Sequence, residues 1–183
     1  MPGSMKKQET IFKVFIFGDG GVGKTTLIER FLTGVYNTSL RMTIGVDFRI
    51  KRLNVENKGE DKNITLQIWD FAGEDRFRVM LPLYVKGSKG GIFMFDITRY
   101  SSLKNITSWM ETVKSIENDI PILMVGGKSD LNDQRCISSD DAMEVAKQYD
   151  FYGYGECSSK TGQFVEEVFH LMARSIMEKQ NMI

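Results

Sequence analysis

The word Gly18-Asp19-Gly20-Gly21-Val22-Gly23-Lys24-Thr25 constrains this chain more than any other stretch. It follows the apolar run Ile11 to Phe17 and opens a helically spaced segment that ends near Phe31 and Leu32. It therefore fits G-x-x-x-x-G-K-[ST] where that pattern has a mechanism, between a strand and a helix. Gly20, Gly21 and Gly23 permit positive φ and close backbone approach, so successive N–H groups, that of Val22 included, wrap phosphate oxygens at a helix N-terminus. Lys24 supplies a cation for the β and γ phosphates, Thr25 supplies a hydroxyl for Mg²⁺, and Thr26 follows them in the nucleotide-contacting set. Such a loop does not choose the base.

The rest of the chain supports an α/β architecture. Apolar runs rich in Ile, Val and Phe recur at Ile11 to Phe17, Ile64 to Trp69, Gly91 to Ile97 and Ile120 to Val125, with helical spacing between the later ones. That alternation predicts a largely parallel sheet buried on both faces. The segments Asp47 to Val55 and Ile64 to Trp69 flank the polar stretch Glu56 to Asn63 and are expected to pair as an antiparallel edge hairpin. Helices are expected over Ser101 to Glu117, after Ser138-Ser139-Asp140-Asp141, and from about Thr161 to about Gln180. In the last, Phe164, Val168, Leu171, Met172 and Ile176 fall on one stripe.

With 183 residues there is room for one full domain, and equal counts of 24 cationic and 24 anionic side chains leave no global field to hold nucleic acid or an acidic membrane. Cys136 and Cys157 are too few and too far apart for a disulfide framework or zinc knuckle, and His170 is the sole histidine, so a reduced cytoplasmic protein without a metal cluster is expected. Trp109 and the eleven methionines read as core packing. No apolar run reaches the roughly 20 residues of a membrane span. Residues 1–8 are expected to be a disordered leader, with Met1 to Ser4 an expression remnant, and residues 9–180 a single domain. The last residues carry no cysteine for a lipid, so no membrane anchor is expected in this chain; a longer lipidated tail on the natural protein would make it peripheral to a membrane.

Three further words complete the pattern. Trp69-Asp70-Phe71-Ala72-Gly73 delivers a carboxylate at the end of an apolar run, where ligands bind in open α/β sheets. From there Asp70 is expected to reach a Mg²⁺ shell and the Gly73 N–H to meet a γ phosphate. Gly126-Gly127-Lys128-Ser129-Asp130-Leu131 follows the run Ile120 to Val125, and Cys157-Ser158-Ser159-Lys160 precedes the last helix. In this order the motifs resemble the Ras superfamily of small GTPases. The words Thr43-Ile44-Gly45-Val46-Asp47-Phe48, Trp69 to Phe77 and Phe95-Asp96-Ile97-Thr98 are most similar to its Rab branch, over about Ile11 to Glu178.

The resemblance implies a six-stranded, mostly parallel sheet with one antiparallel edge strand and about five helices, holding GTP or GDP with Mg²⁺. It makes Thr43 the switch threonine that closes on Mg²⁺ and the γ phosphate, beside Thr25 and Asp70, and Tyr36 the aromatic packed edge-on to guanine. Asp130 would read the guanine N1–H and amine, as an acceptor-only carboxylate does and adenine does not permit. Lys128 would lie along the base, with the Ser159 N–H at its O6 and Leu131, Ser158 and Lys160 completing the pocket. Lys24, Thr43, Gly73 and Glu74 would serve hydrolysis. Phe48, Trp69 and Tyr84 would form an effector-facing trio, and exchange factors and activating proteins are implied partners. Four positions depart from the pattern: Gly127 replaces the Asn of the base motif, Glu74 the water-positioning Gln, Leu40 an aromatic of switch I, and Pro82 interrupts the segment after Glu74. A switch that hydrolyses GTP slowly is the expectation; the alternative is a nucleotide-binding interaction module with little hydrolysis.

Overall fold

The computed structural model describes residues 10–39, 42–57 and 59–183; the expectations for residues 1–8 and for Leu40 lie outside them. Six strands, β1 (Thr10–Phe17), β2 (Val46–Asn57), β3 (Glu60–Phe71), β4 (Gly90–Asp96), β5 (Ile122–Gly127) and β6 (Gly153–Cys157), form one sheet in the order β2-β3-β1-β4-β5-β6. All neighbouring pairs are parallel except β2 with β3.

Period-two alternation assigns each strand residue to a face. Val14, Ile16, Ile92 and Met94 enter one core with α1 (Lys24–Thr33) and α7 (Val165–Lys179). Phe15, Phe17, Phe93 and Phe95 enter the other, with α3 (Leu81–Val85), α5 (Ile106–Lys114) and α6 (Ser139–Gln148). The second is an aromatic stack in which Phe17 lies 5.1 Å from Phe15, 5.5 Å from Phe93 and 6.0 Å from Trp109. Rings of this size bury about 150–250 Å² each, so at about 25 cal/mol/Å² each contributes roughly 4–6 kcal/mol, an upper estimate.

Among the described residues, seven α-helical segments stand where about five were expected, because two helices are broken. After β3 the helix divides into α2 (Asp75–Arg78) and α3, with Pro82 in the first turn of α3, where its missing N–H costs no helical bond. After β4 it divides at Asn105 into α4 (Ser101–Lys104) and α5. The expected polar turn at 56–63 is mostly strand: pairing continues to Asn57 opposite Glu60, because an edge hairpin projecting beyond the core carries polar side chains at no desolvation cost. Helix α7 starts at Val165, not near Thr161, after Phe164 adopts φ 57°. Phe164 and Leu171 are exposed at 52% and 42%, and Val165, Val168, Phe169, Met172 and Ile176 form the buried stripe instead. Past residue 180, Met182 and Ile183 pack on the first core, and Lys62 donates to the Met182 carbonyl at 2.6 Å.

Candidate nucleotide-binding site

Two cavities of about 340 and 380 Å³ lie side by side at the carboxyl edge of the sheet and share Gly23, Thr26 and Lys128 in their walls. Gly20 to Thr26, Thr43, Gly73 and Glu74 bound the first without Val22; Val22, Tyr36, Asp130, Leu131, Ser159 and Lys160 bound the second. One end is thus built from the phosphate loop and the other from the two base motifs.

In the phosphate loop, Gly21 and Gly23 hold φ 73° and 106°, which only glycine adopts without strain. The Lys24 ammonium is buried and donates to the carbonyls of Gly18 at 2.8 Å and Asp19 at 2.9 Å. Burial pushes its pKa down to about 8, Arg99 adds to the push, and the charges of Asp70 and Asp19 oppose it. The loop therefore holds a cation short of negative charge, which a polyphosphate supplies.

The Thr25, Thr43 and Asp70 side chains meet at one point. The Thr25 hydroxyl is 2.5 Å from that of Thr43 and donates to Asp70 Oδ2 at 2.5 Å, with Thr43 at 3.3 Å from the same oxygen. Asp70 Oδ1 is buried with no hydrogen-bond partner among the described residues, and burial raises its carboxyl pKa despite the bond from Thr25. An orphaned carboxylate oxygen beside two hydroxyls is a hard oxygen donor set, and it fits Mg²⁺, which favours one or two carboxylates together with phosphates and water. At Gly73 the backbone lies so close to the loop that any Cβ would overlap Asp19 and Gly20. That contact places Gly73 on the wall of the first cavity. Glu74 caps α2 and pairs with Arg76 at 2.8 Å.

At the base end, Asp130 Oδ1 accepts from the Ser158 hydroxyl at 2.6 Å, and that hydroxyl accepts from Thr161 N at 3.1 Å. Ser158 is fully buried and orients Asp130; it does not line the cavity. Lys128, at φ 66°, donates to Asp96 Oδ2 at 2.6 Å and to the Gly21 carbonyl at 3.1 Å, tying the base motif to the phosphate loop. Asp96 is buried, yet the bonds from Lys128 and Thr98 hold its carboxyl below the usual range. The space beside Gly127 is taken: a Cβ there would stand 2.5 Å from Met94 Cε.

Sequence reasoning missed Met94 and the ties of Asp19. The Asp19 carboxylate accepts from Trp109 Nε1 at 2.9 Å and Asn105 Nδ2 at 2.9 Å, with Arg78 Nη2 at 3.4 Å and its guanidinium 4.1 Å over the Trp109 ring. Trp109 is core, as expected, and its N–H also anchors the loop. These contacts join segments 59 to 90 residues apart, so no local pattern announces them. On the outer surface Phe48, Trp69 and Tyr84 form a continuous row, with centroids 4.8 and 5.4 Å apart. Exposed Met42, Ile44, Ile50, Val79 and Leu83 belong to the same switch segments and the adjoining β2. No helix among the described residues is long and apolar enough to cross a membrane.

Comparison with known proteins agrees with this geometry. Residues 13–178 match the Ras family. The chain is 37% identical over 177 residues to Ras-related protein Rab-8B of Homo sapiens, covering 96% of this chain and 83% of that protein. Against Ras-related protein Rab-1 of Theileria parva the identity is 38% over 177 residues, covering 96% and 78%. Against Ras-related protein Rab-19 of Rattus norvegicus it is 33% over 173 residues, covering 94% and 78%. The loop, the base motifs and these similarities converge: this chain is a guanine-nucleotide-binding GTPase of the Ras family, on its Rab branch.

Proposed function

We propose that the chain is a switch that binds GTP and GDP with Mg²⁺, hydrolyses GTP slowly, and acts in signalling or membrane traffic through partners that read its switch surface. The observation that carries this reading is the meeting of Thr25, Thr43 and Asp70 beside Gly73 and the phosphate loop. Thr25, Thr43 and Asp70 would hold Mg²⁺, which would neutralise phosphate charge. Lys24 and the loop N–H groups hold the phosphates in place. Tyr36, Lys128, Asp130 and Ser159, backed by Leu131, Ser158 and Lys160, hold guanine.

In hydrolysis a water oxygen bonds to the γ phosphorus while the bond to the β–γ bridging oxygen breaks. The electron pair leaves on GDP and the water proton passes to the released phosphate. Glu74 accepts a hydrogen bond from that water, and Lys24 offsets the charge moving to the bridging oxygen. Thr43 and Gly73 come from different segments and both border the phosphate end, so loss of the γ phosphate removes one tie that the two segments share there. The freed segments carry Phe48, Tyr84 and the exposed apolar residues near them, so partners distinguish the two states there.

The test is to denature the purified protein, identify the released nucleotide by chromatography, and follow single-turnover hydrolysis of GTP with Mg²⁺. Guanine nucleotide and a slow single exponential support the reading. Adenine nucleotide overturns the base assignment, and GTP that persists intact overturns the hydrolytic one.

A further inference from the structure

Arg99 lies outside the phosphate-loop, Asp70 and base motifs, and its surroundings are unusual for an arginine. Its backbone is pinned just past β4: its N–H donates to the Asp96 carbonyl at 3.0 Å, and its carbonyl accepts from Ser102 N at 3.0 Å and from the Ser102 hydroxyl at 2.6 Å. From there the side chain reaches the phosphate loop, where Nη2 donates to the Gly20 carbonyl at 2.6 Å. Nη1 lies 3.6 Å from where a Cβ on Gly21 would stand. Nε is buried without a hydrogen-bond partner, and among the described residues no carboxylate pairs with this guanidinium. Its charge is also felt at Lys24, the other cation of the loop.

Asp70 and Asp19 offset the charge of Lys24, whereas the buried Nε–H of Arg99 has no acceptor among the described residues, and an anion beside it would supply one. A cavity of about 340 Å³ beside Arg99 is bounded by Gly20, Gly73 and Glu74, which also bound the phosphate cavity. The guanidinium therefore stands next to the phosphate end, across the shared wall of Gly20, Gly73 and Glu74 from the phosphate cavity, which Arg99 does not itself line.

We propose that Arg99 is an arginine supplied by the chain itself to stabilise the transition state of GTP hydrolysis, a role that rests on the hydrolytic reading above. The guanidinium has five N–H donors, and the Gly20 carbonyl uses one of its nitrogens. The remaining donors serve the bridging oxygen, where negative charge grows as the P–O bond breaks, and hold the γ-phosphoryl oxygens in line with it.

The test uses the full chain, Arg99→Ala and Arg99→Lys. GDP affinity and single-turnover hydrolysis are measured on each, with retention of GDP in the presence of fluoroaluminate, which mimics the transferring phosphoryl group, and fluoroberyllate, which mimics the ground state. With no second protein added, the parent is expected to form the GDP–fluoroaluminate complex. Arg99→Ala should lose that complex and hydrolyse about a hundredfold more slowly, while Arg99→Lys, with charge but no fork, falls between. GDP affinity and fluoroberyllate retention should stay within about threefold. Hydrolysis by Arg99→Ala within about threefold of the parent overturns the proposal, as does a parallel loss of GDP affinity, which would make Arg99 a tether of the loop. A parent that turns over no GTP overturns the hydrolytic reading itself, a result visible before any variant is compared.

Discussion

Gly127→Asn is the most informative single change at the base end. By resemblance alone, restoring the amide should slow GDP release, since a hydrogen bond contributes about 0.5–1.5 kcal/mol. The backbone at Gly127 does not need glycine, but a Cβ there stands 2.5 Å from Met94 Cε, 3.2 Å from the Val22 carbonyl oxygen and 3.4 Å from that of Phe95. The first contact forces the Met94 thioether out of its buried position. Displacing a flexible side-chain end off its rotamer costs about 0.5–1.5 kcal/mol, which cancels the gain. The single variant should therefore release GDP within about threefold of the parent rate. Met94→Val alone opens a gap and costs about 1–2 kcal/mol of stability. In Met94→Val/Gly127→Asn the amide occupies that gap, and GDP release should slow by about tenfold. The assay is release of a fluorescent GDP into excess GDP for all four proteins, with melting temperatures alongside. The cycle should show coupling of about 1–2 kcal/mol. Additive effects, within about 0.5 kcal/mol, would refute the claim that Met94 fills the missing amide's place.

Other consequences are more direct. Glu74→Gln should hydrolyse GTP within about tenfold of the parent, and Glu74→Ala should be slower by about tenfold or more; an alanine variant as fast as the parent would remove Glu74 from the reaction. Asp130→Ala should weaken GDP binding by about tenfold to a hundredfold, read by competition with the fluorescent nucleotide, since a charged hydrogen bond contributes about 1.5–3 kcal/mol, and should lower the melting temperature because the buried Ser158 hydroxyl loses its acceptor. Burial pushes the Cys157 thiol up to about 12, whereas Cys136 is exposed, so a thiol reagent at pH 8 should label one cysteine of the native protein and both after unfolding. Rapid labelling of both in the native state would contradict the packing of β6.

Legibility from sequence followed the range of the interactions. The phosphate loop, Asp70 and the base motifs could be read because each is a short word at the end of a strand. The parallel sheet could be read from buried apolar runs, as in Ile92 to Phe95. Strand β6, Gly153-Tyr154-Gly155-Glu156-Cys157, has no such run, and only the resemblance to a six-stranded family implied it. The break at Asn105 and the start of α7 depend on tertiary contacts that override periodicity. The bonds of Asp19 to Trp109 and Asn105, the reach of Arg99 to Gly20 and the overlap of Met94 with Gly127 arise only once the sheet brings strand ends together.

If the γ phosphate orders the switch segments through Thr43 and Gly73, their backbone protection depends on the bound nucleotide. Hydrogen exchange on the Mg²⁺-bound protein, compared between GDP and a non-hydrolysable GTP analogue, tests it most directly. The account predicts stronger protection with the analogue across residues 36–48 and 70–85, with β4, β5 and α7 unchanged, and loss of the difference at 36–48 in Thr43→Ala without loss of GDP. Identical protection of both segments in the two nucleotide states would contradict it.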